Sequence, residues 1–286
     1  MGAERVRITT FTDPMMGLSY EMEPVYRHLE AVFGDHVELR WHMGLLVRDA
    51  RDFMTPAERA LDEEAAFAAY NTRLAGIYLA EEPLGGVPMD MSSFALFSPD
   101  HASTLPLCLA YHAAAIASPG LAYAYLVRLR FATVAQGRRT TLPAVCREVA
   151  AETGVDLQKY DASLGNDGAQ AALREDLSLM AALGIHCLPA CLVEGTSSSV
   201  LLNGLCGYDE LCGAISRVGG GKPQGVTASH DALRAMLARQ KLVSREEICA
   251  AFGLQREEAR ELAEQVVAHG YGRKAEVGKG WFLIVD

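Results

Sequence analysis

The sequence predicts an α/β protein with two domains, and three observations support this fold class. A β-branched run from Val6 to Thr10 stops shortly before Asp13-Pro14 and leads into an amphipathic segment, as at a strand-to-helix junction. Residues 36–47 begin with alternating apolar and polar side chains, which predicts a second strand, parallel to the first. A glycine-rich stretch at residues 219–225 then separates this α/β part from a smaller C-terminal part.

The middle of the chain, from about residue 53 to 184, is predicted to be mainly helical. Thr55-Pro56 carries a helix-start signal, and glycines such as Gly137 and Gly154 stand at helix ends. The predicted helices cover residues 56–75, 104–117, 119–136, 141–153, 156–164 and 167–183, with an irregular loop at 83–101. Residues 185–203 return to β structure as an antiparallel hairpin, and a closing helix ends this domain near residue 218.

Composition and charge restrict the possible partners. The chain has a net charge of −10, so it has no general attraction for nucleic acid or anionic lipid. No apolar run approaches the roughly 18 residues of a membrane span. The charged N-terminus enters a strand at once and has no apolar signal core, so a cytoplasmic location is expected.

The cysteine pattern predicts neither structural disulfides nor a metal site. The seven cysteines are Cys108, Cys146, Cys187, Cys191, Cys206, Cys212 and Cys249. Their number is odd and no CxxC spacing occurs, so buried free thiols are expected in a reducing compartment. His186, Cys187 and Cys191 are ligand types for zinc, but their spacing fits no standard zinc site, so no metal is predicted.

The strand-to-helix junction carries a recognisable motif. Asp13-Pro14, Tyr20 and Glu23-Pro24 match the pattern Asp-Pro-x-Cys-x-x-Cys-Trp/Tyr followed by Glu-Pro, with Met16 and Ser19 at the two cysteine positions. In this motif the sequence resembles the DsbA-like branch of the thioredoxin superfamily, in particular the FrnE-like oxidoreductases and the SpxH (YjbH) group of ClpXP adaptors. The resemblance implies a thioredoxin-like scaffold without its redox pair.

The resemblance also implies a domain organisation. Residues 1–218 would form a thioredoxin-fold domain, with the helical insertion of about 53–184 as a lid over the helix start. Residues 219–228 would be a linker, and residues 229–286 a small winged helix-turn-helix-like domain. Its predicted elements are helices at 229–240, 244–252 and 255–269 and a terminal hairpin. The third helix is rich in glutamate, so we expect protein docking or homodimer formation rather than DNA binding.

Dithiol chemistry at the motif is excluded by residue type. Thiol–disulfide exchange needs a thiolate at the helix start and a resolving thiol three residues later. Met16 has no ionisable proton and the Ser19 hydroxyl is far too weak an acid. Two enzyme alternatives stay open, so the sequence does not decide whether the protein is an enzyme. One is a glutathione-dependent isomerase or transferase, since relatives with this fold place a serine at the first cysteine position; here Ser19 occupies the second.

The other enzyme alternative is an atypical oxidoreductase that uses a displaced thiol. Cys187 lies beside His186 and before Pro189, the position of the family's cis-proline; whether this bond is cis is left open. A neighbouring imidazolium would lower the pKa of a thiol. Cys187 cannot pair with Cys191, because residues four apart in a strand are about 13 Å apart and a disulfide needs Cα atoms within about 7 Å.

The remaining hypothesis is a binding groove for a protein or peptide partner. Thioredoxin folds bind extended polypeptide at the active-site helix start and the cis-proline segment. Methionines suit adaptable recognition surfaces. The predicted groove residues are Asp13, Pro14, Met15, Met16, Gly17, Leu18, Ser19, Tyr20, Leu188 and Pro189. The alternative is that these side chains are packed under the helical lid. No cofactor is predicted, with glutathione left open.

Overall fold

The first strand and the helix after it place the motif at one end of a four-stranded sheet. In a computed structural model, which describes residues 5–285, the sheet has the order β2-β1-β3-β4. Its strands are β1 (Val6–Thr12), β2 (Val37–Met43), β3 (Ala190–Glu194) and β4 (Ser199–Asn203). β1 is parallel to β2, whereas β3 is antiparallel to β1 and β4. Residues 1–4 and 286, which the predicted domain boundaries include, lie outside the described residues.

Two helices connect β1 to β2. They are α1 (Gly17–Glu21) and α2 (Glu23–Phe33), with the break at Met22. Pro24 lies in the first turn of α2, where its missing N–H group costs no hydrogen bond, so a second helix begins there. β2 is shorter than predicted, because Leu45 has a left-handed backbone (φ 48°) that turns the chain out of the sheet.

The helical insertion contains seven α-helices between β2 and β3. They are α3 (Pro56–Arg59), α4 (Glu63–Glu81), α5 (Leu105–Ala117), α6 (Ala122–Arg130), α7 (Pro143–Thr153), α8 (Leu157–Gly165) and α9 (Gly168–Ala182). The single helix predicted at 56–75 was wrong. Asp62 starts a new helix by accepting a hydrogen bond from the Ala65 N–H, and α4 then runs to Glu81. The helix predicted at 119–136 is also divided, because a π-helical turn follows α6 at residues 131–135.

The C-terminal part contains three helices and a small sheet after α10 (Tyr208–Arg217), which closes the first domain. The helices are α11 (His230–Gln240), α12 (Arg245–Phe252) and α13 (Arg256–Ala268); the strands are β5 (Leu242–Ser244), β6 (Arg273–Val277) and β7 (Gly280–Ile284). The helices and the β6–β7 hairpin lie where the sequence predicts them. β5 was not predicted, because three residues are too few to show a periodic pattern, and it forms by antiparallel pairing with β7.

The C-terminal part packs directly on α2 through a buried charge cluster. The guanidinium of Arg27, on α2, lies 3.4 Å from the Glu247 carboxylate on α12 and 3.5 Å from Glu23, and it also pairs with Glu30. Burial raises the pKa of Glu247 to about 7, although the charge of Arg27 acts in the opposite direction. The glycine-rich linker therefore joins two parts of the chain that share an interface.

Candidate functional site

The motif begins in a tight turn between β1 and α1. The Met16 N–H donates to the Asp13 carbonyl (3.1 Å), and Met16 is the N-cap residue of α1, with an extended backbone and no side-chain capping bond. Its thioether side chain is buried. Met16 therefore stands at the N-cap position of α1 with a side chain that neither ionises nor caps the helix.

The Asp13 carboxylate stabilises this turn through hydrogen bonds. Its carboxylate is fully buried and accepts hydrogen bonds from the Met15 N–H (3.1 Å), the Leu46 N–H (2.9 Å) and the Thr104 hydroxyl (2.6 Å). Burial raises the pKa of Asp13, although these hydrogen bonds act in the opposite direction. The Asp-Pro part of the motif thus fastens the helix start to the 44–47 segment and to α5.

Ser19 faces the core rather than a ligand. The Thr12 hydroxyl donates to the Ser19 hydroxyl (2.7 Å), and Arg130 in turn donates to Thr12 (2.8 Å). Ser19 is fully buried. Tyr20 is buried as well, and its hydroxyl donates to the Pro88 carbonyl (2.7 Å).

Four of the ten predicted groove residues are therefore corrected. Asp13, Pro14, Ser19 and Tyr20 are buried supports behind the groove, because their polar groups bond to the core or their side chains pack beneath the turn. A fifth, Pro189, is also buried, and its carbonyl accepts a hydrogen bond from the Gly204 N–H (2.8 Å).

The other predicted residues line an open cavity of about 210 Å³ beside the helix start. From the prediction it contains Met15, Met16, Gly17, Leu18 and Leu188. Five further residues line it that were not predicted: Leu46, after β2, and Leu74, Ile77, Tyr78 and Glu81 of the insertion. The side chain of Ile77 is 42% exposed at the rim, and Leu18 and Leu188 are half-buried. We call this cavity the motif groove.

The lid of the motif groove is the C-terminal half of α4. Leu74, Ile77, Tyr78 and Glu81 are spaced three, four and seven residues from the first, so they share one helix face. Tyr78 fixes this face to the motif, because its hydroxyl donates to the Met15 carbonyl (2.5 Å). The periodic signal was present in the sequence, but the helix was predicted to end at residue 75.

The approach of the lid requires glycine at position 17. A Cβ atom added to Gly17 would lie 2.0 Å from the Glu81 Oε2 and 2.6 Å from the Tyr78 ring, both far below contact distance. The lid therefore packs against the bare backbone at the start of α1. Glu81 is the single ionisable carboxylate among the residues that line the motif groove.

The segment before Pro189 forms the opposite wall. The Leu188–Pro189 peptide bond is cis, and Leu188 packs closely on Gly44 at the end of β2. His186 and Cys187 are exposed and lie outside the strands. Cys187 is thus the exposed thiol of the chain, whereas Cys191, on β3, is fully buried; all seven cysteines are free.

A second carboxylate behind the motif, Glu21, was not predicted. It is buried, and its Oε2 accepts hydrogen bonds from the Gly85 N–H (2.9 Å) and the Val87 N–H (3.1 Å) of the loop after α4. Burial raises the pKa of Glu21 to about 8, although these two hydrogen bonds act in the opposite direction. Glu21 therefore links α1 to the base of the lid through a carboxyl group that titrates near neutral pH.

A histidine–aspartate cluster lies at the edge strand β2 and was not predicted. Asp176, on α9, pairs with His42 on β2, lies 3.0 Å from the His112 ring on α5 and accepts from the Met43 N–H (2.6 Å). Burial raises the pKa of Asp176, but the hydrogen bonds of the two histidines outweigh it and hold the pKa below its usual value. His42, His112 and Asp176 are far apart in sequence, so no local pattern reveals the cluster.

Metal-binding clusters and membrane-spanning helices were sought among the described residues. Within residues 5–285, no group of three or more histidine, cysteine, aspartate or glutamate side chains has a metal-binding arrangement. Over the same range, each helix is too short or too polar to reach across a bilayer.

Sequence and structure comparisons identify the family. A family model described as Thioredoxin matches residues 9–211, which is more than half of the chain. The chain therefore belongs to the thioredoxin family that this model describes. No curated protein sequence matches it significantly.

Several solved structures share its fold, and three of them are described as disulfide isomerase, DsbA oxidoreductase or disulfide reductase proteins. A Nitrosomonas europaea protein, provisionally described as a protein disulfide isomerase, matches with TM-score 0.60 and 15% identity over 75% of this chain and 97% of its own. A provisional DsbA oxidoreductase from Streptomyces coelicolor matches with TM-score 0.56 and 19% identity over 78% and 95%. The cytosolic disulfide reductase DsbM from Pseudomonas aeruginosa matches with TM-score 0.51 and 21% identity over 69% and 89%. At these identities the likeness establishes the fold alone.

Proposed function

We propose that this protein binds an extended polypeptide segment in the motif groove and performs no dithiol exchange there. The observation that carries the proposal is the helix start, where a buried methionine and a core-facing serine occupy the two cysteine positions beside an open, largely apolar groove. A thioether and an alcohol cannot form or resolve a mixed disulfide. What the site retains is apolar surface for a ligand.

The shape of the site favours an extended ligand. The groove lies between the helix start and the segment 186–188, which is outside the sheet and in which residues 186 and 187 are exposed. In peptide-binding sites of this kind, main-chain hydrogen bonds to an extended segment supply affinity and pockets for alternate side chains supply specificity. Met15 and Met16 add flexible side chains that adapt to different apolar residues.

An adaptor that presents a bound polypeptide to a further partner is the concrete form of the proposal. The C-terminal part offers a second surface, because the exposed face of α13 carries Glu257, Glu258, Glu261 and Glu264. That acidic face disfavours nucleic acid and suits protein docking. A cytoplasmic location belongs to the same proposal, since seven free cysteines suit a reducing compartment and the related DsbM is described as cytosolic.

The matched variants Ile77→Asp and Ile116→Asp test the binding role. Both isoleucines lie on helices of the insertion with similar exposure (42% and 47%), but only Ile77 lines the motif groove. We expect Ile77→Asp to weaken binding to an array of synthetic peptides at least tenfold, because a charge would be desolvated in the groove. Ile116→Asp should bind like the wild type. Equal binding by both variants would contradict the groove as the binding site.

Met16→Asp tests the motif itself. The buried thioether lines the groove, so a carboxylate there should abolish peptide binding, with circular dichroism as the measure of folding. If this variant is unfolded, the Ile77→Asp result decides the question alone. Full binding by a folded Met16→Asp protein would rule out the helix start as part of the site.

A second candidate function is thiol chemistry at Cys187, favoured by its exposure one residue before the groove residue Leu188. Insulin reduction with dithiothreitol measures it, and a Cys187→Ser variant is the control. Thermal-shift titration with glutathione tests the glutathione-linked alternative, because GSH is present in one DsbM structure. Activity that disappears in Cys187→Ser, or stabilisation by several degrees in millimolar glutathione, would favour an enzyme over a binding protein.

A further inference from the structure

The motif groove carries one charged group, and its position is fixed by packing. Glu81 ends α4, and its Oε2 lies against the backbone of Gly17, where even a methyl group would collide with it. Tyr78, one turn earlier on the same helix, is anchored to the Met15 carbonyl. The carboxylate therefore lies at the wall of the groove, against the start of α1.

This carboxylate has an unused hydrogen-bonding capacity. The Oε2 of Glu81 is buried, and it accepts no hydrogen bond from the described residues. Burial raises the pKa of Glu81, since the ionised form loses hydration and gains no donor. A buried polar oxygen without a partner is costly, so a ligand that brings a donor to this carboxylate gains more than it would in water.

The other residues that line the groove are apolar apart from the Tyr78 hydroxyl, which is already committed to Met15. None of them is a lysine, an arginine or a histidine, so no wall residue neutralises Glu81. The chain as a whole is acidic, with a net charge of −10, which adds to the attraction for a cation. The wall is therefore complementary to an apolar side chain with a positively charged donor beside it.

We propose that Glu81 determines the specificity of the motif groove, which selects a polypeptide segment with a large apolar residue next to a lysine or an arginine. The inference rests on the proposed binding function and names its ligand. An ammonium or guanidinium group forms a charge-assisted hydrogen bond with the carboxylate while the apolar residue covers the methionines. A glutamate or aspartate at the same position in the ligand is rejected by like charge.

The test uses an array of synthetic peptides in which two adjacent residues run through all natural pairs within a glycine–serine frame. Wild-type protein, Glu81→Gln and Glu81→Lys are compared, and fluorescence polarisation then measures the best sequence and its Lys→Gln and Lys→Glu versions. We expect wild type to bind the lysine peptide about tenfold more tightly than the glutamine peptide. Glu81→Gln should bind both equally, and Glu81→Lys should prefer the glutamate peptide.

Two further variants separate specificity from general effects. Glu64→Lys makes the same charge change on the same helix, at an exposed position about 25 Å along α4, and should leave the profile unchanged. Gly17→Ala displaces Glu81 and Tyr78 without changing any charge, and it should reduce the preference for lysine.

The outcomes distinguish the specificity role of Glu81 from the proposed peptide-binding function of the motif groove. The role of Glu81 would be overturned if the wild type bound apolar peptides with no preference for a neighbouring cation, or if Glu81→Lys kept the wild-type profile. Either result would leave the proposed binding function of the groove unaffected. Folded wild-type protein that retains no peptide of the array would overturn both.

Discussion

Replacing Glu21 with glutamine should flatten the pH dependence of stability. Glu21 is 2% exposed, and its Oε1 is buried without a hydrogen-bond partner among the described residues. Burial, backbone N–H groups and the charge of Glu82 set its pKa, and no cation is among these causes, so little compensates the charge when the carboxyl ionises. The amide of glutamine keeps an acceptor for the Gly85 and Val87 N–H groups and carries no charge.

The size and sign of the effect follow from the raised pKa. The pKa moves from 4.5 in the unfolded chain to about 8 in the folded protein, chiefly through burial. The folded state therefore holds the proton more tightly, so the contribution to stability is full below pH 4.5 and is lost as the pH rises through about 8. The shift corresponds to about 5 kcal/mol at most, and relaxation of the loop should reduce the loss to about 2–3 kcal/mol.

Urea unfolding at several pH values between about 5 and about 8.5 measures this effect in wild type and Glu21→Gln. The glutamine amide adds a pH-independent cost, so the slopes with pH are compared rather than the absolute stabilities. Glu175→Gln, at an exposed position on α9, is the matched control and should keep the wild-type slope. Equal slopes for wild type and Glu21→Gln would refute the reasoning, because ionisation of Glu21 would then make no contribution to the pH dependence of stability.

Three other substitutions test the contacts that fix the fold and the site. Arg27→Met leaves buried carboxylates without their cation and should cost about 3–5 kcal/mol in urea unfolding; a loss below about 1 kcal/mol would contradict the charge cluster. Asp13→Asn turns an N–H group toward backbone donors and should cost about 1–3 kcal/mol, with faster hydrogen exchange at residues 44–47. Asp176→Asn should lower stability at neutral pH, and the difference from wild type should disappear as the pH falls below about 3.8, since the pKa of Asp176 is depressed; a pH-independent difference would argue against its histidine pairing.

The sequence was sufficient for elements whose signals are local. The β-branched strand before Asp13 and the glycine-bounded helices of the insertion each depend on neighbouring residues, and the structure has them within a few residues of the predicted bounds. Met16 and Leu188, which the motif assigns to one groove, both line the cavity beside the helix start.

The remaining features depend on contacts between distant parts of the chain. Ser19 follows the motif into the helix, but only the packing of Arg130 and Thr12 beneath it shows that its hydroxyl faces inward. Glu81 lies in a helix whose predicted end was too early, because the cap at Asp62 shifted the whole segment. Arg27 and Glu247 belong to separate predicted domains, and no local pattern indicates that they meet.

Hydrogen exchange of the wild-type protein with and without the peptide that binds it best tests the central claim most directly. We expect the peptide to slow exchange at residues 15–18, at the end of α4 and at residues 186–188, which surround the motif groove. Slower exchange confined to the C-terminal helices and sheet, with no change at the helix start, would show that the degenerate motif is not where this protein binds polypeptide.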